Sequence, residues 1–322
     1  MHADLPLVAI QQARQRIAPY VRHTPLLPPP ALQDELPPGL RLKLENLQVT
    51  GSFKPRGVFN TLLQLDARQR ARGVVCASGG NHGVALAYGA RRLGIPATVY
   101  LPAGASDDRV ARVARWGARV IRHGQAWDDA HARALAHAAA EELVYVHPFD
   151  AESVVAGQGT LGLELLDDVP DLDAVLVSIG GGGLIAGVAA AIKQVRPAAR
   201  VIGVEPAGAD SMARSVAAGQ VVALPAVRTI ADTLAPRAVT ERTVALVSRY
   251  VDEIVLIEDA PMVAAMRWLW QECNQLVEPA GAAVIAALLA NAGLVAGYQR
   301  PVALICGGNA AAEPVFCAYQ RA

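Results

Sequence analysis

With 322 residues and 53% hydrophobic content, the chain is long enough for two domains or one large α/β unit with a substantial core. Its formal net charge is zero, arginines and acids are mixed along it and aromatic residues make up 5%, so a polyanion-binding face and stacking platforms are excluded and no nucleic-acid partner is expected. The four cysteines, Cys76, Cys273, Cys306 and Cys317, form no Cys-x-x-Cys pair, which argues against a disulfide or zinc framework and for a reducing, cytoplasmic setting. Residues 1–6 lack the basic region and apolar run of a signal peptide, and the longest apolar windows are broken by Glu278 and Pro279 or by glycines. An unprocessed chain without membrane contact is therefore expected.

The first predicted element is an amphipathic helix over residues 8–17, followed by a proline-rich link through Thr24, Pro25 and residues 28–30, which the missing amides keep extended. Residues 40–45 alternate strictly between apolar and polar, the pattern of a strand with Arg41, Lys43 and Glu45 on its wetter face. The chain contains three lysines, Lys43, Lys54 and Lys193, and supplies its other positive charge as arginine. Lys193 falls in the last turn of a helix predicted over 183–195, where a cation complements the carbonyl end of the dipole. Lys54 has no comparable role: it follows Thr50, Gly51 and Ser52, which read as a cap, precedes Pro55 at the first helical position and lies among Phe53, Val58 and Phe59. A lysine held in an apolar pocket near a helix N-terminus has a depressed pKa and a usable amine. The competing reading is an ordinary lysine of a capping region.

From residue 73 the pattern becomes regular, with strands over 74–77, 97–101, 118–122 and 144–146 and helices over 81–93, 107–116 and 127–142. A second series has a helix over 153–166, a strand over 174–179, a helix over 183–195, strands over 201–205 and 254–257, two apolar helices and a last strand over 302–306. Such alternation predicts an α/β fold of two open, mostly parallel twisted sheets flanked by helices. The expected division is a small domain of residues 73–148 inserted into a larger one made of 1–72 and 149–322. Ligands of such folds bind beyond the carboxyl ends of the strands.

Glycine-rich turns follow strand ends in three places. The turn from Ser78 through Gly79, Gly80, Asn81 and His82 to Gly83 opens a helix and offers amides, a hydroxyl and a carboxamide, which suits a carboxylate; otherwise Ser78 or Asn81 merely caps a tight turn. The turn Gly180, Gly181, Gly182 and Gly183 lies between an apolar strand and an apolar helix, as backbone that closely approaches a phosphate does. It also matches a dinucleotide fingerprint, with Ala186 in the last position and Glu205 placed for a ribose hydroxyl, which is the rival reading of an NAD-binding oxidoreductase. The last turn is Cys306, Gly307, Gly308 and Asn309, where a buried thiol is otherwise inert packing.

Together, the segments 51–57, 78–82, 157–160, 180–183, 278–282 and 306–309 resemble, in order and over nearly the whole chain, the serine/threonine dehydratase family of fold-type II pyridoxal-phosphate enzymes, which share a tryptophan synthase beta-like fold and include serine racemase. The resemblance implies pyridoxal 5'-phosphate as cofactor, Lys54 as its Schiff-base lysine and Phe53 packed beside the ring. It also implies that Gly180, Gly181, Gly182 and Gly183 cradle the phosphate, that Asn81 meets the ring hydroxyl, and that Ser78, Gly79, Asn81 and His82 hold the carboxylate of an amino-acid substrate. Cys306 falls where the family sets a Ser, Thr or Cys against the pyridine nitrogen. A carboxylate there would keep the pyridine protonated and favour long-lived carbanions; a neutral thiol does not, and prompt expulsion of a β-substituent is preferred.

The implied activity is a threonine or serine ammonia-lyase in which Lys54 removes the α-proton, the β-hydroxyl leaves, and a 2-oxo acid and ammonia result. A threo-3-hydroxyaspartate dehydratase or a β-replacement synthase shares most of the motifs, and side chains near the β-carbon, Phe149 and Thr233, are expected to choose among them. Serine racemase carries an acid/base serine at the position of Gly79, so little racemisation is expected here. Racemase-like members also bind Mg or Ca through a Glu, a carbonyl and an Asp; Glu205 and Asp210 are present, whereas Ser211 stands in place of the second carboxylate and removes a hard ligand. The chain ends soon after Cys306, so no regulatory domain is expected; a homodimer is expected by analogy, with residues 262–270 as core or dimer face.

Overall fold

The computed structural model describes residues 4–29 and 36–309; Pro30, Cys317 and the first residues of the N-terminal segment lie outside the described residues. The strands are β1 (Leu26–Leu27), β2 (Arg41–Leu44), β3 (Val74–Ala77), β4 (Ala97–Leu101), β5 (Arg119–Arg122), β6 (Val144–Tyr145), β7 (Ala174–Ser178), β8 (Arg200–Pro206), β9 (Glu253–Ile257) and β10 (Pro301–Ile305). They form a six-stranded sheet in the order β1-β2-β10-β7-β8-β9 and a four-stranded sheet in the order β5-β4-β3-β6. Among the described residues every strand pairing is parallel except β1 with β2.

The centre of the larger sheet is buried on both faces. All five residues of β7 and of β10 are buried, and the helices Gly183–Val195 and Pro279–Ala290 are themselves largely inside. A strand covered on both faces reads as a continuous apolar run, and a helix apolar all round belongs in an interior; each Val, Leu or Ile so buried contributes roughly 1.5–3 kcal/mol. Register brings distant turns together: Ala303 of β10 pairs with both Leu42 and Leu176, so the chain leaving β10 at Cys306 emerges beside the chain leaving β7 at Ile179.

The helix Lys54–Leu62 faces both sheets. Its Val58 and Leu62 join the core of the smaller sheet with Leu86 and Val99, while Gly57 meets the helix Glu152–Asp168 so closely that a Cβ there would lie 2.5 Å from Gln158 Nε2. Lys54 therefore sits where the two sheets adjoin.

Two local expectations are corrected. Lys43 and Glu45 are fully buried, because the helix Glu152–Asp168 covers that face of β2. Lys43 Nζ donates to the Thr24 carbonyl at 2.8 Å and pairs with Glu164 and Asp168, each at 2.7 Å, while Glu45 pairs with Arg56 at 2.7 Å. Nor does the Thr50 to Ser52 segment cap the Lys54 helix with a side chain: the preceding residue is Phe53 in helical conformation, and Thr50 is left-handed at φ 66°. The segment is held instead by backbone, since Ser52 pairs with Gly307 and the Gly308 amide donates to the Gly51 carbonyl at 2.9 Å.

The helix Asp259–Cys273 serves the core through Met262, Ala265, Trp268 and Leu269, leaving Trp270 56% exposed. Among the described residues, no helix is long and apolar enough to cross a membrane.

Candidate active site

The strand ends enclose a cleft with about 500 Å³ of space, part of it open to solvent. Lys54, Phe53, Asn81, Cys306 and all of Gly180, Gly181, Gly182 and Gly183 line it, as do Phe149 and Thr233.

Lys54 is half-buried, and its Nζ donates to the Pro148 carbonyl at 2.8 Å and lies 4.9 Å from the centre of the Phe53 ring. Burial lowers its pKa to about 8, against the opposing pull of Cys306 and Glu278. Phe53 is in turn fixed by its amide, which donates to the Cys306 carbonyl at 3.2 Å. The lysine segment and the Cys306 turn thus form one backbone unit.

In the glycine turn, none of the residues has room for a side chain. A Cβ would stand 2.9 Å from Leu234 Cα at Gly180, 2.3 Å from Phe149 Cδ1 at Gly181, 2.4 Å from Met212 Cε at Gly182 and 2.4 Å from the Phe149 carbonyl oxygen at Gly183. Gly182 also has φ +85°, which favours glycine outright. It precedes the helix Gly183–Val195, whose first amides have no intrahelical acceptor and carry the positive end of the dipole, a cradle fitted to a phosphate.

Asn81 begins the helix Asn81–Leu93 and is held at both ends: its Nδ2 donates to Glu278 Oε1 at 2.6 Å, and its Oδ1 accepts from Asn309 Nδ2 at 2.7 Å. Burial raises the Glu278 pKa to about 7, with the Asn81 bond opposing. His82 Nε2 donates to the Val146 carbonyl at 2.9 Å, while its buried Nδ1 has no partner among the described residues; burial takes its pKa down to about 3, so the ring is neutral. Ser78 Oγ accepts from the Gly80 amide at 3.3 Å and so shapes the turn. At Gly79 a Cβ would lie 3.1 Å from Leu101 Cδ2, the tip of a flexible side chain.

Cys306 is 2% exposed, and its thiol donates to the Ala280 carbonyl at 3.3 Å. Burial pushes its pKa well up and Glu278 adds to the rise, while a hydrogen bond from Ser178 and the Lys54 charge oppose it; the thiol stays protonated.

Glu205 takes a different place from the one expected for a cation ligand. Its two oxygens accept from the amides of Met212 and Ala213 at 2.8 and 2.9 Å, capping the helix Ser211–Ala218, and burial raises its pKa to about 7. Asp210 is engaged by Arg214 at 2.8 Å. This donor set, already spent on amides and a guanidinium, does not fit Mg or Ca. Among the described residues His23, Glu164 and Asp168 do bring three ligand atoms together, but the Lys43 ammonium pairs with both carboxylates there and serves as their cation.

Sequence reading assigned no role to Pro148, Ser178, Glu278 or Asn309. Glu278 and Asn309 lay within family-like segments and Ser178 near the end of an expected strand, so their position was visible, but their bonds depend on chain brought together from far apart.

The cleft thus brings together a lysine of lowered pKa, a glycine turn at a helix N-terminus and a neutral thiol. The family model for pyridoxal-phosphate-dependent enzymes matches residues 17–307, and the chain belongs to that family. An L-threonine ammonia-lyase of Geobacter sulfurreducens is 38% identical over 317 residues, covering 98% of this chain and 79% of that protein. A phenylserine dehydratase of Ralstonia pickettii is 42% identical over 306 residues, covering 94% of this chain and 93% of that one. The structure of maize serine racemase superposes with a TM-score of 0.93 at 34% identity, covering 100% of this chain and 98% of that one. The fold is that of fold-type II enzymes and the cofactor is pyridoxal 5'-phosphate, so the dinucleotide reading of Gly181 to Glu205 gives way.

Proposed function

We propose that the protein is an ammonia-lyase that removes water and then ammonia from a small β-hydroxy amino acid, L-threonine or L-serine. The observation that carries this reading is the pairing, in one cleft, of an amine whose pKa is lowered to about 8 with a thiol that remains protonated. Pyridoxal phosphate, when bound, supplies an electron sink for the substrate α-carbon. Residues Gly180 to Gly183 would hold its phosphate, Asn81 its hydroxyl and Cys306 its nitrogen. Lys54 Nζ, whose pKa of about 8 leaves a minor but usable neutral fraction at pH 7, accepts the α-proton; the Pro148 carbonyl keeps that amine in place beforehand. The turn from Ser78 to His82 orients the substrate carboxylate with its amides. Loss of the β-hydroxyl as water gives an enamine, whose imine tautomer takes up water in solution to yield the 2-oxo acid and ammonia.

Gly79 supports elimination over racemisation, because that position has no proton to give. The threonine and phenylserine named for the two relatives share a β-hydroxyl and differ in the β-substituent; Phe149 and Thr233, both lining the cleft, are the side chains expected to choose between such substituents. The same reading keeps the expected inserted domain of residues 73–148, within which all four strands of the smaller sheet fall, and a homodimer.

The test is steady-state release of oxo acid from L-threonine, L-serine and the threo-3-hydroxyaspartates, alongside chiral analysis of serine. Turnover of threonine or serine that disappears in Lys54→Ala is expected. Retained turnover in that variant, or rapid interconversion of L- and D-serine by the wild type, would overturn the proposal.

A further inference from the structure

Three buried groups meet behind the cleft. Ser178, the last residue of β7, donates its hydroxyl to the Ala280 carbonyl at 2.7 Å, and Cys306 donates its thiol to the same oxygen at 3.3 Å. Ser178 is 3% and Cys306 2% exposed, and Ser178, Ala280 and Cys306 all line the cleft. Ala280 lies in the first turn of the helix Pro279–Ala290, so its carbonyl also serves the helix ladder and cannot be left to water.

We propose that Ser178 is a positioning residue: by keeping the Ala280 carbonyl satisfied, it lets Cys306 turn its S–H away from that carbonyl and donate it to the ring nitrogen of the bound cofactor. The reason lies in the asymmetry of hydrogen-bond energetics. A thiol is a weak donor and its exchange between two acceptors is nearly neutral, whereas stripping a buried carbonyl of its side-chain partner is costly. With Ser178 present, the carbonyl keeps its stronger donor whichever way the thiol points. Without it, Cys306 is the remaining side-chain donor, and each hydrogen bond to the cofactor is made at the expense of Ala280.

This inference rests on the reading that Cys306 faces the ring nitrogen, and the experiment separates the two. Dissociation constants for pyridoxal phosphate and the absorption spectrum of the bound cofactor would be measured for the wild type, Ser178→Ala, Ser178→Thr, Cys306→Ala and the Ser178→Ala/Cys306→Ala double variant, with thermal unfolding of each apoprotein as a check of folding. Ser178→Ala is expected to weaken binding about tenfold and shift the absorption band, about 1.4 kcal/mol of affinity. Ser178→Thr, which retains the hydroxyl, should stay within about threefold of wild type. In the Cys306→Ala background the serine substitution should have little further effect, because no thiol competes for Ala280. Should Ser178→Ala not fold, Ser178→Cys, with its weaker donor, should give an intermediate loss. Equal losses from Ser178→Ala with and without Cys306, or no loss at all, would overturn the role of Ser178; a spectrum and affinity unchanged in Cys306→Ala would overturn the underlying placement of the thiol.

Discussion

The Phe149 ring stands where a side chain on Gly181 would have to go, with a Cβ at that glycine 2.3 Å from Phe149 Cδ1. Since the neighbouring Gly183 is pressed against the Phe149 backbone, the ring has little freedom to retreat. Gly181→Ala should therefore displace the turn and weaken pyridoxal-phosphate binding by at least about tenfold, about 1.4 kcal/mol. Adding Phe149→Ala should restore part of that affinity. A titration showing wild-type binding in the single variant would contradict the proposed cradle.

Capture of pyridoxal phosphate by the apoprotein should report the pKa of Lys54. The amine reacts in its neutral form, and lowering its pKa from 10.5 to about 8 makes it mostly protonated at pH 7 and mostly neutral at pH 9. The capture rate is expected to rise about tenfold over that interval and then level off, as follows from one titrating group. An unshifted lysine would instead give a rise of about a hundredfold with no plateau.

Glu278 is expected to cost the apoprotein stability at alkaline pH. Its pKa is raised from 4.5 to about 7, so between those values the folded state binds more protons than the unfolded state. Stability then falls as pH rises through that window, by about 3 kcal/mol for this group at the upper end. Glu278→Gln retains an acceptor for Asn81 and removes the charge. It should raise the urea midpoint at pH 8 and leave it nearly unchanged at pH 4; an equal effect at both would assign the change to packing.

Lys43 balances Glu164 and Asp168 inside the protein, and its side chain is fully buried. Removing one partner of such a group leaves uncompensated charge, which typically costs about 3–5 kcal/mol. Lys43→Met should lower the unfolding free energy by about that amount in urea denaturation. Combining it with Asp168→Asn should recover part of the loss, and a double variant less stable than the single one would argue against charge balance as the cause.

Much of the element order was legible because local periodicity encodes it, although the strand Leu26–Leu27 and the helices Ala67–Arg72, Ser211–Ala218 and Glu241–Tyr250 were not expected. Helices expected over 81–93 and 183–195 appear with those bounds, as Asn81–Leu93 and Gly183–Val195, and expected strand limits differ from those found by about a residue. The glycine turns stood out for the same reason, since a run such as Gly180 to Gly183 between apolar segments is a local signal of close backbone approach. The face of β2 was misread because alternation records that Lys43 and Glu45 share a side, not whether a helix from later in the chain will cover it.

By itself, then, the sequence determined which residue types arrive at strand ends, among them Lys54, Asn81, the glycine turn and Cys306, because turns and periodicity are properties of neighbouring residues. The tertiary structure alone decided what each of them touches. It sets Pro148 on Lys54 and Glu278 and Asn309 on Asn81, turns Glu205 into a helix cap, and puts Ser178 and Cys306 on the Ala280 carbonyl. Those partners are far apart in the chain, and hydrogen bonds and burial depend on proximity in space, which emerges only when the strands take their order in the sheets.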